Sequence, residues 1–167
     1  LVVNKIIDAE SKKQWDSFVS SLTEANFLQS WDFYEFHLAR GKKVFRRLVF
    51  DNDTIVGAWA GVVETARRGT YMAIAGGPLI DWSNQKIVRA VFDDIREKGL
   101  ESGCVFVRVR PQLELSEKSL KLMASLGLKK APMYLSVEYA GVLDLNLSEE
   151  ELMKNMRQRL RRALRKA

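Results

Sequence analysis

Three apolar runs crowd into one short part of the chain: "KVFRRLVF" (43–50), "TIVGAWAGVV" (54–63) and "GTYMAIA" (69–75). Each is rich in β-branched and aromatic side chains, and only the polar turn residues "DNDT" separate the first two. Connections this brief force neighbouring strands to run in opposite directions. The expected result is an antiparallel meander, and whatever else the chain contains must pack on it.

The flanking segments switch to helical spacing. A short strand is expected around Val2 to Ile7. A helix follows from Ser11 to about Leu22, where Trp15, Phe18, Val19 and Leu22 recur at three and four. Ser30 can cap a second helix in which Trp31, Tyr34 and Leu38 share a face, with Gly41 as a left-handed stop. Beyond "GGPLIDW" a helix from about Ser83 to Lys98 carries the stripe Ile87, Val88, Val91, Phe92 and Ile95 and ends at Gly99. Its paired acids, Asp93 and Asp94, are read as a solvated face. The strand "CVFVRVRP" stops at Pro111, a helix from Ser116 to Leu126 stops at Gly127, and "YLSVEYAGVLDL" supplies one or two further strands. The fold class is therefore α/β: a mixed, largely antiparallel sheet flanked by helices, with a crossover in the middle. This order matches the GNAT-like (acyl-CoA N-acyltransferase-like) layout.

Charge is not spread evenly. Of 27 Lys and Arg residues, seven fall in the last 17 positions, "ELMKNMRQRLRRALRKA", against one of the 21 acids. The body is thus balanced, and the terminus is a local cationic element suited to a polyanionic partner. Ser148 with Glu151 forms a capping box, so a basic amphipathic C-terminal helix is expected there. Met153, Met156, Leu160 and Leu164 make one stripe, with Arg157, Arg161 and Arg165 repeating beside it. The stripe leads us to expect a monomer or a weak dimer.

Several chemistries are disfavoured. The single cysteine, Cys104, cannot form an internal disulfide, which fits a reducing compartment, and no basic leader or membrane-length apolar run is present. A cytoplasmic location is expected. One histidine, His37, and one cysteine cannot build a catalytic triad or a specific metal cluster, so no metal is expected. His37 sits among aromatics, where a plain structural or surface role is the simpler alternative. A coenzyme A user needs a donor-rich turn before the central helix. Here the turn reads "AIAGGPLIDWSN", where Gly76 and Gly77 permit close approach but Pro78 removes a donor.

The terminal segment "YAGVLDLNLSEEELMKNMRQRLRRALRKA" resembles the interdomain segment of the FemABX peptidoglycan interpeptide-bridge aminoacyltransferases. In particular, Leu143 to Leu145, Ser148 to Leu152, Met156, Arg161 and Leu164 to Ala167 match that family's pattern. "FLQSWDFYEFHLARGKKVFR", "GGPLID" and "VFVRVRP" resemble its front segment, its Gly-Pro turn and its strand ending in proline. The resemblance runs from about Phe27 to the end.

It implies an enzyme of two GNAT-like lobes that moves an amino acid from aminoacyl-tRNA to the stem peptide of a peptidoglycan precursor, nucleotide-linked or lipid-linked. Residues 1–146 would be the first lobe and 147–167 the basic helix leading to a second, with the isolated chain expected to be inactive. No cofactor is implied beyond aminoacyl-tRNA as co-substrate, and peripheral membrane contact is compatible with a lipid-linked acceptor. Precursor-binding candidates are His37, Gly76, Gly77, Arg108 and Arg110. His37 aligns where the family commonly has a lysine, Gly76 where it has an arginine, and Arg110 where it has an acid. The tRNA-binding candidates are Arg157, Arg159, Arg161, Arg162 and Arg165. Two alternatives stand beside this reading: a single-lobe acyl-CoA N-acyltransferase, and a non-enzymatic domain that binds RNA or an anionic surface.

Overall fold

A computed structural model of the chain describes residues 3, 5–67, 69–132 and 143–166. The chain divides into two units, 1–130 and 131–167, and each is considered by itself.

The meander forms where the apolar runs and turn residues place it. Strands β2 (Val44–Asp51), β3 (Thr54–Ala66) and β4 (Gly69–Ala75) pair antiparallel in that order. Ahead of them, β1 (Lys5–Asp8) adds to the free side of β2. The crossover expected in the middle is α3 (Gln85–Glu101), which returns the chain to β6 (Phe106–Arg110), parallel to β4. A two-residue strand after Pro78, β5 (Leu79–Ile80), pairs with β3 farther along. The sheet order is β1-β2-β3-β4-β6.

Strand alternation sends side chains to two cores, one on each face of the sheet. On one face, Val49, Trp59, Met72 and Ile74 meet the α3 stripe Ile87, Val88, Val91, Phe92 and Ile95. On the other, Leu48, Ala58, Ala60 and Val62 meet Trp15 and Val19 of α1 (Lys12–Ser20) and Tyr34 of α2 (Trp31–Ala39). Ser11, Ser30 and Ser116 cap α1, α2 and α4 (Glu117–Ser125) through their hydroxyls. Gly41 and Gly127 are left-handed, as expected of stops.

Two expectations about α3 are corrected. The helix does not stop at Gly99 but runs to Glu101. Gly99 is there for proximity: a Cβ would lie 2.9 Å from Cγ2 of Val107, so glycine lets α3 settle against β6. Asp94 is not solvated. It is 9% exposed and takes a bidentate ion pair from Arg47, with Nη2 to Oδ1 at 2.9 Å and Nε to Oδ2 at 3.2 Å. The Trp59 indole also donates to Asp94 Oδ2 at 2.9 Å. Arg47 reaches on to Asp8 and to the carbonyl of Ile6, so a single guanidinium fastens β1, β2 and α3 together. Burial works against the charge on Arg47, but hydrogen bonds to Asp94 and Asp8 outweigh it and hold its pKa above the ordinary value.

In the second unit the single terminal helix is replaced by two short ones, α5 (Glu149–Asn155) and α6 (Gln158–Leu164). The capping box of Ser148 and Glu151 starts α5 as expected. Met156 and Arg157 then take extended conformations, with ψ of 150° and 144°. The stripe therefore splits, with Met153 on α5 and Leu160 and Leu164 on α6. Residues 133–142, where most of the last expected strands fall, lie outside the described residues.

Candidate functional site

A break in the sheet organises the region around the Gly-Pro turn. β4 pairs with β3 between Val62 and Ala66, and β5 pairs with Gly57 and Ala58, which leaves Ala60 between them without a strand partner on that side. Gln29, fully buried, fills the gap. Its Oε1 accepts from the Ala60 N–H at 3.1 Å, and its Nε2 donates to the carbonyl of Ala75 at 2.6 Å. The Tyr34 hydroxyl donates to the Ala60 carbonyl at 2.7 Å, and the Trp15 indole donates to the Gln29 carbonyl at 2.8 Å. Burial raises the Tyr34 pKa far above its usual value, so it stays a neutral donor. A side-chain amide thus substitutes for ladder bonds, and each buried group left unpaired would cost about 1–3 kcal/mol.

This network explains the two glycines. Gly76 is left-handed (φ 70°), and the Asn26 amide donates to its carbonyl at 3.0 Å. A Cβ at Gly76 would run into Asn26, and one at Gly77 would lie 2.7 Å from Cδ of Gln29. Both glycines let the turn close on the chain's own amides. The Gly77–Pro78 peptide is cis. Just beyond it, the first amides of α3 are already occupied: the Asn84 side chain accepts from Lys86 and Ile87, and Asp81 accepts from Ser83. The Asp81 carboxyl is held below its usual range by the Ser83 hydrogen bonds, so it stays anionic beside the turn where a coenzyme A diphosphate would need donors.

The other end of this sheet face is different. Register places Tyr71 opposite Phe106, Ala73 opposite Arg108 and Ala75 opposite Arg110, with Glu64 opposite Tyr71 on the far side. Tyr71 and Phe106 stack with centroids 5.0 Å apart and planes 12° from parallel. The Arg108 guanidinium lies 5.7 Å from the Phe106 ring. Ala73 belongs to the core under α1 and α2, so this row shares their face, yet Phe106 is 44% exposed. The result is a half-face floored by alanines, with an aromatic stack at one end and Arg108 and Arg110 along its edge. Among the described residues, no carboxylate forms an ion pair with Arg108.

His37 borders the same side through Glu64. Its ring sits among Phe33, at 4.9 Å, and Phe36, at 5.4 Å, and its Nδ1 is buried without a partner. Burial lowers its pKa, Glu64 opposes that shift, and Arg40 and Lys42 add to it. Lys42 in turn pairs with Glu64 at 2.6 Å. His37, Arg108 and Arg110 therefore lie on one face of the sheet, with no hydrogen bond or ring contact between His37 and either arginine among the described residues, while the space at Gly76 and Gly77 is taken by Asn26 and Gln29. Sequence reasoning missed Gln29, Tyr71 and Phe106. The signal for Gln29 was a lone amide in the apolar stretch "FLQSW"; the aromatic pair needed the parallel register, which no local pattern encodes.

Cys104 precedes β6 and is half-buried, and burial raises its thiol pKa, which suits a packing role. Among the described residues no three His, Cys, Asp or Glu side chains gather as metal ligands would. No described helix is long and apolar enough to cross a membrane.

In the terminal unit, Arg157, Arg159, Arg162 and Arg165 are exposed and Arg161 is half-buried. Among the described residues none of the five forms an ion pair with a carboxylate. Arg157 occupies the N-cap position of α6 without a side-chain capping bond, and Arg161 Nη1 donates across the break to the carbonyl of Lys154 at 3.1 Å.

Comparison with known proteins agrees with this architecture. Aminoacyltransferase FemA of Staphylococcus epidermidis is 25% identical over 169 residues, covering 86% of this chain and 40% of the relative. Its Staphylococcus aureus counterpart is 23% identical over 167 residues, with the same coverage. The chain thus spans about two-fifths of the length of these curated relatives. The crystal structure of FemX superposes with a TM-score of 0.75 at 20% identity, over 96% of this chain and 42% of that one. Glucosamine-6-phosphate N-acetyltransferase from Arabidopsis thaliana gives a TM-score of 0.56 at 14% identity, over 81% of this chain and 98% of its own. The fold is that of the acetyltransferases. The model described as the FemAB family matches residues 11–167, and the chain belongs to that family.

Proposed function

We propose that this chain is the acceptor-binding portion of an aminoacyltransferase that moves an amino acid from aminoacyl-tRNA onto an amine of a peptidoglycan precursor's stem peptide. The observation that carries the reading is the Tyr71–Phe106 stack with the Arg108 guanidinium beside it, in a chain of the FemAB family. A nucleotide-linked or lipid-linked precursor is anionic. A guanidinium on an aromatic ledge suits its phosphates or carboxylates through charge-assisted hydrogen bonds. The alanine floor leaves room for them.

The chemistry asks little of side chains. The acceptor nitrogen, neutral at the moment of attack, forms a bond to the ester carbonyl carbon. The carbon–oxygen bond to the tRNA ribose breaks, the nitrogen loses a proton, and the ribose oxygen gains one. Because the ester is already activated, aligning amine and carbonyl can lower the barrier by several kcal/mol, up to about 7–11 in the best-oriented cases. The half-face would align the acceptor, and the arginines of the terminal unit would meet the donor's phosphates. Both substrates fit a cytoplasmic setting, with peripheral membrane contact where the acceptor is lipid-linked. The relatives are longer, so complete transfer is expected to need more than these 167 residues.

The acyl-CoA reading loses ground to the occupied amides at the start of α3 and in the turn before it. Titrating a nucleotide-linked precursor and acetyl-CoA separately into the chain, by calorimetry, tests the choice. Saturable binding of the precursor and none of acetyl-CoA is expected; the opposite pattern would overturn the reading.

A further inference from the structure

The elbow between α5 and α6 is a feature that a continuous helix would lack. In a straight helix Lys154 and Arg161 stand about 10 Å apart along the axis, and the Lys154 carbonyl would accept from the backbone four residues on. Here the chain turns at Met156 and Arg157, and the Arg161 guanidinium takes that carbonyl instead, at 3.1 Å. The turn borders an open, concave notch of about 530 Å³. Its charged lining is Lys154, Arg161, Arg162 and Arg165 against a single acid, Glu150. Among the described residues no carboxylate forms an ion pair with any of the four cations.

We propose that this notch is a phosphate-binding site that seats a turn of an RNA backbone. The proposal deepens the aminoacyl-tRNA reading above and rests on it. Four like charges drawn around one hollow repel each other, and an anion held between them relieves that repulsion. Guanidinium groups grip phosphate through paired N–H donors, and the bond from Nη1 of Arg161 to Lys154 fixes one such fork in advance. The shape favours RNA over a lipid surface. A bilayer is met by a convex apolar face, whereas Lys154, Arg161, Arg162 and Arg165 line a concavity and the exposed Leu160 and Leu164 lie outside it. Arg157 and Arg159 also fall outside the lining. The structure thus splits the row of Arg157, Arg161 and Arg165 expected from the sequence, with Arg161 and Arg165 in the lining and Arg157 outside it.

The test compares two double variants of equal charge loss in the whole chain, R161A with R165A and R157A with R159A. Each is titrated at two salt concentrations with an RNA stem-loop shaped like a tRNA acceptor arm, and with vesicles containing phosphatidylglycerol. A third pair, R162A with R165A, keeps the Arg161–Lys154 bond and guards against simple opening of the elbow. We expect both notch pairs to weaken RNA binding by about tenfold or more and to flatten its salt dependence, with the outer pair changing it less than about threefold. Equal losses from inner and outer pairs, unchanged RNA affinity, or binding to vesicles but not to RNA would each overturn the notch. A protein of the relatives' full length that carries this chain, binds the stem-loop through the notch and still transfers no amino acid from charged tRNA would count against the transferase reading alone.

Discussion

Arg47 and Arg108 both sit on strands of one sheet, and they are put to opposite uses. Arg47 is about 8% exposed on the α3 face and is met by Asp94, Asp8 and a backbone carbonyl. Arg108 is half-buried on the other face, lies beside an aromatic ring, and among the described residues pairs with no carboxylate. A buried charge is tolerated only when paired and hydrogen-bonded, so Arg47 is committed to holding the fold. A charge kept part-way out of water without a counterion does little for folding, which leaves Arg108 available to the acceptor proposed above. The two arginines differ in what the fold would lose without them, and that difference separates architecture from site.

The largest effect is expected on the Arg47 side. Replacing Asp94 by Ala strands one guanidinium and the Trp59 indole, and should lower unfolding free energy by about 3–5 kcal/mol in urea titration. A change under about 1 kcal/mol would mean that Asp8 and solvent compensate, and the contrast with Arg108 would weaken. A smaller effect is expected at the border of the half-face. His37 has a pKa depressed below the ordinary 6.5, chiefly by burial, so the folded state favours the neutral ring. Its contribution is fully present above the unfolded value and is lost as pH falls from there through the lower folded value. H37Q should flatten that acid limb of the stability curve while leaving neutral-pH stability nearly unchanged; an acid limb identical to wild type would remove His37 from the account.

The meander was legible to the residue at "GTYMAIA", and nearly so in β2 and β3, because runs of β-branched and aromatic residues and the polar "DNDT" turn act locally. The stripe of α3 was legible through its local period of about 3.6. Asp94 was misread because a charged side chain was taken as solvent-facing, although its place three residues after Val91 and one before Ile95 puts it on the buried stripe. Its partner Arg47 lies 47 residues away, beyond the reach of any local pattern. The elbow at Met156 was invisible because neither glycine nor proline marks it. The candidate site was legible in pieces: His37, Arg108 and Arg110 came from family resemblance, while the Tyr71–Phe106 ledge exists only through the pairing of β4 with β6.

The smallest stability effect should accompany the clearest loss of binding, and that pairing tests the account most directly. R108A is compared with wild type by urea titration and by calorimetry with a nucleotide-linked peptidoglycan precursor. Unfolding free energy is expected to stay within about 0.5 kcal/mol of wild type. Precursor affinity is expected to fall by about tenfold to a hundredfold, as loss of a charge-assisted hydrogen bond implies. Unchanged precursor affinity, or a loss of stability as large as that of the Asp94 variant, would contradict it and make Arg108 another arginine that serves the fold.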